Sequence, residues 1–206
     1  VQLLFVARPD AKPRAFHLRN LIRAEAGSSA TVLESYVGLG EGVYWTNAVT
    51  QIAVAPNAVL RHYKLQAEGS AAFHAAATSV RLDHQAAYRM FAASLGSGLC
   101  RNEVDVDLAA TDTVARLAGT TLARGAQHLD TTIRIEHSEA CGTSSQEFKA
   151  VMDGRAHAVF QGRIRAAPDA QKTDAQQGSR SLLLSTTAAA DTLLSRSVLT
   201  VADLPP

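Results

Sequence analysis

An all-β solenoid of short stacked strands is the architecture this sequence predicts. Three observations predict it: apolar and polar residues alternate with period two in several segments, single Gly or Pro corners recur, and only 5% of residues are aromatic. A core with so few aromatics must be built from small aliphatic side chains, which suits regular layers. Taken in chain order, the alternating segments are Val59-Leu60-Arg61-His62-Tyr63-Lys64-Leu65, Asn102-Glu103-Val104-Asp105-Val106-Asp107-Leu108, Thr131 to Glu136, and Val159 to Arg165. In the second of these, Val104, Val106 and Leu108 share one face and Glu103, Asp105 and Asp107 the other, as in a half-buried strand. Helical spacing is confined to Leu82–Leu95, which also reads as an Ala-rich strand pair, and to a tail from Ala188 to Val201.

Six segments share a form in which a strand ends in small or basic residues, turns, and restarts: Arg23–Gly27, Ile52–Pro56, Leu65–Gly69, Phe91–Gly98, Leu122–Gly125 and Ile164–Pro168. Their spacing is irregular. Irregular recurrence of strand and tight corner is the mark of β-rungs that bury their inner faces against neighbouring rungs and tolerate insertions at corners. A β-sandwich fits less well, because Asn-Gly and Asp-Gly hairpin pairs are not what punctuates the strands. With no internal linker before about residue 186, the expected organisation is one β-helix core, 1–185, followed by a divergent, partly helical tail, 186–206.

The 206 residues are 47% hydrophobic and carry 20 Lys+Arg against 19 Asp+Glu, a net charge of +1 with both signs interspersed. Neither nucleic acid nor an anionic membrane is the expected partner, since each calls for a concentrated basic face. The apolar run Leu3–Ala7 is far shorter than the ~20 residues of a spanning helix. Two cysteines, Cys100 and Cys141, make no disulfide framework and point to a reducing compartment, the cytoplasm. The start at Val1-Gln2 has no signal-peptide pattern and reads as part of a longer polypeptide.

Candidates for chemistry are few. Gly96-Ser97-Gly98 lacks the spacing of a nucleophile elbow, and Gly38-Leu39-Gly40-Glu41-Gly42 has no following Lys-Ser/Thr, so both read as loops. His17, His62, His74, His84, His128, His137 and His157 form no paired motif. His137, Glu139 and Cys141 fall close enough together to hold a soft metal, but a solvated turn is the plainer reading. Cys100, at a strand start, is expected to pack. The stripe Glu103, Asp105, Asp107 could bind calcium or supply acid and base to a polysaccharide enzyme; the commoner use is cross-strand pairing with Arg101, Arg116, Arg124 and Arg134. A single Trp, Trp45, argues against a sugar-stacking groove.

An ordered series of motifs resembles the SufB/SufD family, the SufD branch more nearly. It runs through Gly125-Ala126-Gln127-His128-Leu129-Asp130-Thr131, Ile135-Glu136-His137, Cys141, Ser144–Lys149, Phe160–Ile164, Ala170–Gln177 and Leu182–Ser185, and extends back through His17–Asn20 and Leu33–Gly38. The resemblance implies a right-handed parallel β-helix flanked by helical regions. It also implies a non-enzymatic scaffold of iron-sulfur cluster assembly, paired with a SufB-like subunit and with a SufC-like ATPase through a C-terminal helical region. The cluster would then be the product of the assembled complex, and the isolated chain would hold no cofactor, no metal and no catalytic residue. After Asp191-Thr192 the family continues into a strand and a segment bearing Cys and His. Here Leu193–Thr200 follows instead, so that no metal ligand carries over, and the chain looks truncated at both ends.

Two expectations accompany this. A β-helix ended mid-stack exposes the backbone groups of its last rung, which the tail from Thr186 would cap or which would join chains end to end. The rival functions are a carbohydrate-active β-helix using Asp105 and Asp107, and a plain protein-binding solenoid. In the leading reading, Lys172-Thr173-Asp174 and the Gly/Pro corners maintain rungs.

Overall fold

The computed structural model describes residues 1–8, 12–40 and 42–198. Among them, fourteen strands alternate between two seven-stranded parallel sheets. The first sheet holds β1 (Gln2–Ala7), β3 (Ser29–Gly38), β5 (Val59–Ala67), β7 (Ala87–Ser94), β9 (Val114–Ala123), β11 (Thr143–Met152) and β13 (Asp174–Leu183). The second holds β2 (Arg14–Ala24), β4 (Tyr44–Val54), β6 (Phe73–Leu82), β8 (Leu99–Leu108), β10 (His128–His137), β12 (His157–Ala166) and β14 (Ala189–Val198). Every strand pairs with the strand two places on, so two strands and two corners make one turn of a seven-turn solenoid. One turn takes as few as 26 residues, from Phe73 to its partner Leu99, and as many as 32, from His157 to Ala189. This insertion tolerance explains the irregular spacing of the corners.

All six Gly or Pro corners read from the sequence fall between consecutive strands. A further device was not legible there. Gly27, Asn57, Gln85, Asp112, Cys141 and Lys172 all adopt φ between 54° and 69° and occupy equivalent positions between second-sheet and first-sheet strands. From Gly27 to Cys141 each donates its backbone N–H to a carbonyl of the next turn, as from Asn57 to His84 at 2.9 Å and from Cys141 to Gln171 at 2.9 Å. Only the first of the six is glycine, which is why composition alone did not reveal the column.

One open alternative is decided and one expectation is corrected. The Leu82–Leu95 segment is corner plus strand β7, because its alternate residues Tyr88, Met90 and Ala92 face the core. The described part of the tail is not helical: Ala189–Val198 is strand β14, paired along its length with β12, whose open edge offers a ready template while a short isolated helix is marginal in water. Residues 199–206 lie outside the described residues.

The interior is divided lengthwise. Toward the ends of the second-sheet strands, Ile22, Ile52, Val80, Val106, Ile135 and Ile164 stack as one aliphatic column through successive turns. Leu60, Tyr88 and Ala115 face them from the first sheet. Deep burial of such side chains contributes about 1.5–3 kcal/mol each. The other half of the interior, at the ends of the first-sheet strands, is polar in the early turns and apolar in the later ones, where Ala123, Leu129, Met152 and Ala158 pack together.

Candidate functional site

The polar half is built by inward positions of β3 to β8. Glu34 and Tyr36 come from β3, His62, Lys64 and Gln66 from β5, and Tyr88 from β7; the second sheet supplies Thr46 and Thr50 from β4, His74 from β6, and Cys100 and Asn102 from β8. Glu68 enters from the corner after β5. None of these side chains sits on a solvent face, and Glu34, His62, His74 and Tyr88 are fully buried.

Two carboxylates organise the cluster. Glu34 accepts hydrogen bonds from the Tyr36 hydroxyl, from Thr50 Oγ1 at 3.3 Å and from His62 Nε2 at 2.8 Å. The other ring nitrogen of His62, Nδ1, lies 2.9 Å from the Tyr88 hydroxyl, which donates to it; this pairing assigns the ring proton to Nε2. Burial alone would raise the Glu34 pKa, but the bond from His62 and the nearby Lys64 ammonium bring it down to about 2. Glu68 accepts from Thr46 Oγ1 at 2.6 Å, His74 Nδ1 at 2.7 Å and Gln66 Nε2 at 3.1 Å. These donors outweigh burial and hold its pKa below the usual carboxylate range. Burial in turn lowers the pKa of His74, so the pair is a carboxylate beside a neutral imidazole.

Lys64 lies between them. Its ammonium donates to Asn102 Oδ1 at 2.8 Å and stands 5.4 Å from the centre of the Tyr36 ring. Burial pulls its pKa down, opposed by Glu34, Cys100 and Glu68. Asn102 in turn donates to Ser94 Oγ at 3.2 Å and to Cys100 Sγ at 3.3 Å. Burial pushes the Cys100 thiol up to about 12, so it is a packed thiol with no nucleophilic character, as expected. Most of these groups face a partner, although His74 Nε2 is buried without one, and at Tyr36, Thr46 and Glu68 the cluster borders a cavity whose other walls include Leu4, Phe5, Phe16 and Leu18. What it can do is specify the stack: slipping one strand would put each buried charge against an apolar neighbour.

The candidates read from the sequence are dispersed. His137 turns inward and bonds Ser144 Oγ at 2.9 Å, with its pKa lowered by burial, whereas Cys141 is exposed at a left-handed corner. They do not converge, and no group of three metal-binding side chains exists among the described residues. Gly96 and Ser97 form a corner: the Gly96 N–H reaches Gln66 Oε1 at 3.1 Å, and a Cβ there would overlap the Glu68 backbone. Gly38, the last residue of β3, closes against the hydroxyl of Tyr44, the first residue of β4.

The acidic stripe is a charge ladder on the outer face of the second sheet. Asp107 pairs with Arg81 at 2.6 Å, Asp105 with Arg134 at 3.0 Å, Glu103 with Arg101 at 2.7 Å and Glu136 with Arg165 at 3.3 Å. Of the four arginines expected, Arg101 and Arg134 take part. Arg116 belongs to the other sheet and Arg124 to the corner before β10, which puts both out of reach. Asp105 and Asp107 are therefore each neutralised by their own arginine and do not form an acid–base pair. Sequence reasoning missed the buried cluster, although its residues stand at alternate positions of a segment already read as a strand.

The sequence from residue 5 to residue 193 matches the family described as SUF system FeS cluster assembly, SufBD core domain. Among curated proteins it is similar to the chloroplastic protein ABCI7 of Arabidopsis thaliana, with 35% identity over 85% of this chain and 36% of that one. It is also similar to an iron-sulfur cluster assembly SufBD family protein of Synechocystis, 30% identical over 93% of this chain and 44% of the relative. The iron-sulfur cluster assembly protein SufD of Escherichia coli is 30% identical over 85% of this chain and 42% of its own length. The chain thus spans about two fifths of the length of these relatives. A parallel solenoid whose turns run through the whole matched region agrees with that assignment, and the chain belongs to the SufBD core family of iron-sulfur cluster assembly proteins.

Proposed function

We propose that the chain is a non-catalytic scaffold of the SufBCD complex, in which it associates with a SufB-like subunit and a SufC-like ATPase. The observation that carries this reading is the interior: a solenoid filled by aliphatic columns on one side and a buried, hydrogen-bonded polar cluster on the other, with the carboxylates of its acidic stripe paired with arginines. Such a body offers stiffness and surface. The iron-sulfur cluster is then the product of the assembled complex, and this chain contributes no cofactor ligand of its own. A reducing, cytoplasmic setting suits its two free cysteines, while one relative carries a chloroplast designation.

Co-expression with SufB-like and SufC-like subunits, followed by native mass spectrometry, tests the reading. Recovery of a stoichiometric complex supports it; a chain that emerges alone while the other two subunits associate overturns it. Leu182, Leu183, Leu193 and Leu194 are exposed on β13 and β14, and this apolar rung supports end-to-end self-association of the isolated chain. Light scattering on the eluting chain distinguishes a dimer from a monomer.

A further inference from the structure

The two sheets treat their outward charges differently. On the second sheet both signs share a column, as in the register partners Arg81, Asp107, Glu136 and Arg165, where each carboxylate pairs with the arginine next to it. On the first sheet they do not. Arg61, Arg89 and Arg116 are register partners on β5, β7 and β9, so three guanidinium groups stand in one column on consecutive turns. Like charges directly opposite in a sheet are destabilising. Arg61 reaches only Ser29 Oγ, at 3.3 Å, and Arg89 and Arg116 have no ion-pair or hydrogen-bond partner among the described residues. The outward carboxylates on this sheet's strands are Glu147, already paired with Lys149 at 3.2 Å, and Asp174 on the last strand.

Beside this column, two residues further along each strand, lies an apolar one. Leu33, Tyr63 and Phe91 are register partners on β3, β5 and β7, and they are 36%, 44% and 42% exposed. Half-exposed large apolar side chains in line, next to an unneutralised basic column, form a patch whose two halves ask for different chemistry from a single partner.

We propose that this face of the first sheet docks an acidic amphipathic helix of a partner protein, its carboxylates on Arg61, Arg89 and Arg116 and its apolar stripe on Leu33, Tyr63 and Phe91. The spacing favours a helix lying along the solenoid axis. Neighbouring turns are about 4.8 Å apart, close to the roughly 5–6 Å between helix side chains three or four positions apart. Same-face side chains of an extended segment repeat at about 6.6 Å and fall out of step after one turn. Charge complementarity names the acidic character. A single-stranded nucleic acid would also use arginines and aromatic faces, but the basic column spans only three turns and its apolar neighbour begins with an aliphatic Leu33.

The test is a selection of random 16-residue peptides displayed on phage against the full chain and against the Arg89→Glu/Arg116→Glu variant. The selected peptides are expected to be rich in Asp and Glu at helical spacing, with apolar residues on the adjoining stripe. Fluorescence anisotropy of the leading peptide should show at least tenfold weaker binding to Arg89→Glu, Arg116→Glu and Phe91→Ser, and unchanged binding to Arg163→Glu on the other sheet. Melting curves guard against misfolding: breaking up a column of like charges should leave the melting temperature of Arg89→Glu unchanged or raise it. Peptides without acidic enrichment, or equal recovery on the double variant, would overturn the proposal. So would tighter binding of a labelled 12-nucleotide oligouridine that is lost in the same variants.

Discussion

His62 Nε2 lies 2.8 Å from Glu34 Oε2, although the register partner of His62 is Val32 and that of Glu34 is Lys64. The bond therefore runs diagonally between turns and ties β3 to β5 more tightly than ladder bonds alone. Glu34→Gln would leave Lys64 without its counter-charge and place an amide N–H₂ among donors. Its expected cost is about 3–5 kcal/mol, the range for breaking a buried ionic arrangement. Lys64→Met removes a desolvated ammonium whose hydrogen-bond partner is Asn102, while Glu34 keeps three donors, so it should cost about 0–2 kcal/mol. Urea unfolding of both singles and the double variant checks this order; the double should lose less than the sum.

Acid sensitivity follows from the same groups. Glu34, held at about 2 against an ordinary value of 4.5, contributes stability that is fully present above pH 4.5 and is lost as the pH falls through 2. That contribution is on the order of 3 kcal/mol. Glu68 acts with the same sign. His74 and His137, kept neutral by burial, add a further loss that begins as the pH drops below 6.5. Lys64 works at the other end: with its folded pKa depressed, stability rises with pH until its unfolded value of about 10.4 is passed. A denaturant midpoint measured from pH 3 to pH 10 should climb steeply to about 5 and more gently above. A midpoint independent of pH below 5 would contradict the burial of ionised Glu34.

The left-handed corner column gives a prediction of the opposite sign. Cys141 at φ 61° and Gln85 at φ 54° hold a conformation that costs a side-chain-bearing residue about 1–2 kcal/mol, partly offset by the chain entropy of glycine. Cys141→Gly and Gln85→Gly should each stabilise by about 0.5–1 kcal/mol, and Cys141→Val should destabilise by more than that. Thermal unfolding of the three variants decides it.

Much of the fold was legible because alternation, corners and a low aromatic content all express one requirement, that small side chains stack turn upon turn. In β8 the alternation also showed which face is inside: Val104, Val106 and Leu108 are buried, as the pattern implies. In β5 the same rule points the wrong way. There Val59, Tyr63 and Leu65 face outward while His62, Lys64 and Gln66 are buried, because partners for those polar groups come from Glu34, Tyr88 and Ser97, each more than two dozen residues distant in sequence. Period two shows that a strand has two faces, and only the neighbouring turns decide which is inner. The tail fared similarly, since its helical spacing was overridden by the open edge of β12.

The outer ladder of the second sheet should matter little. Arg134 and Asp105 are both about half exposed, so their pair is screened by solvent and salt. Asp105→Asn and Asp107→Asn are each expected to change stability by less than about 1 kcal/mol, with the difference shrinking further in 1 M salt. A loss of several kcal/mol in urea unfolding would show a buried role that the exposure of these residues does not suggest.

Cluster formation itself tests the scaffold reading most directly. Iron-sulfur clusters would be reconstituted on the complex of this chain with SufB-like and SufC-like subunits, using Cys100→Ala, Cys141→Ala, His137→Ala and the Asp105→Asn/Asp107→Asn pair in turn. Every variant that still enters the complex is expected to support the wild-type yield of cluster absorbance. Loss of cluster in any one of them, with the complex intact by native mass spectrometry, would contradict a passive role for this chain.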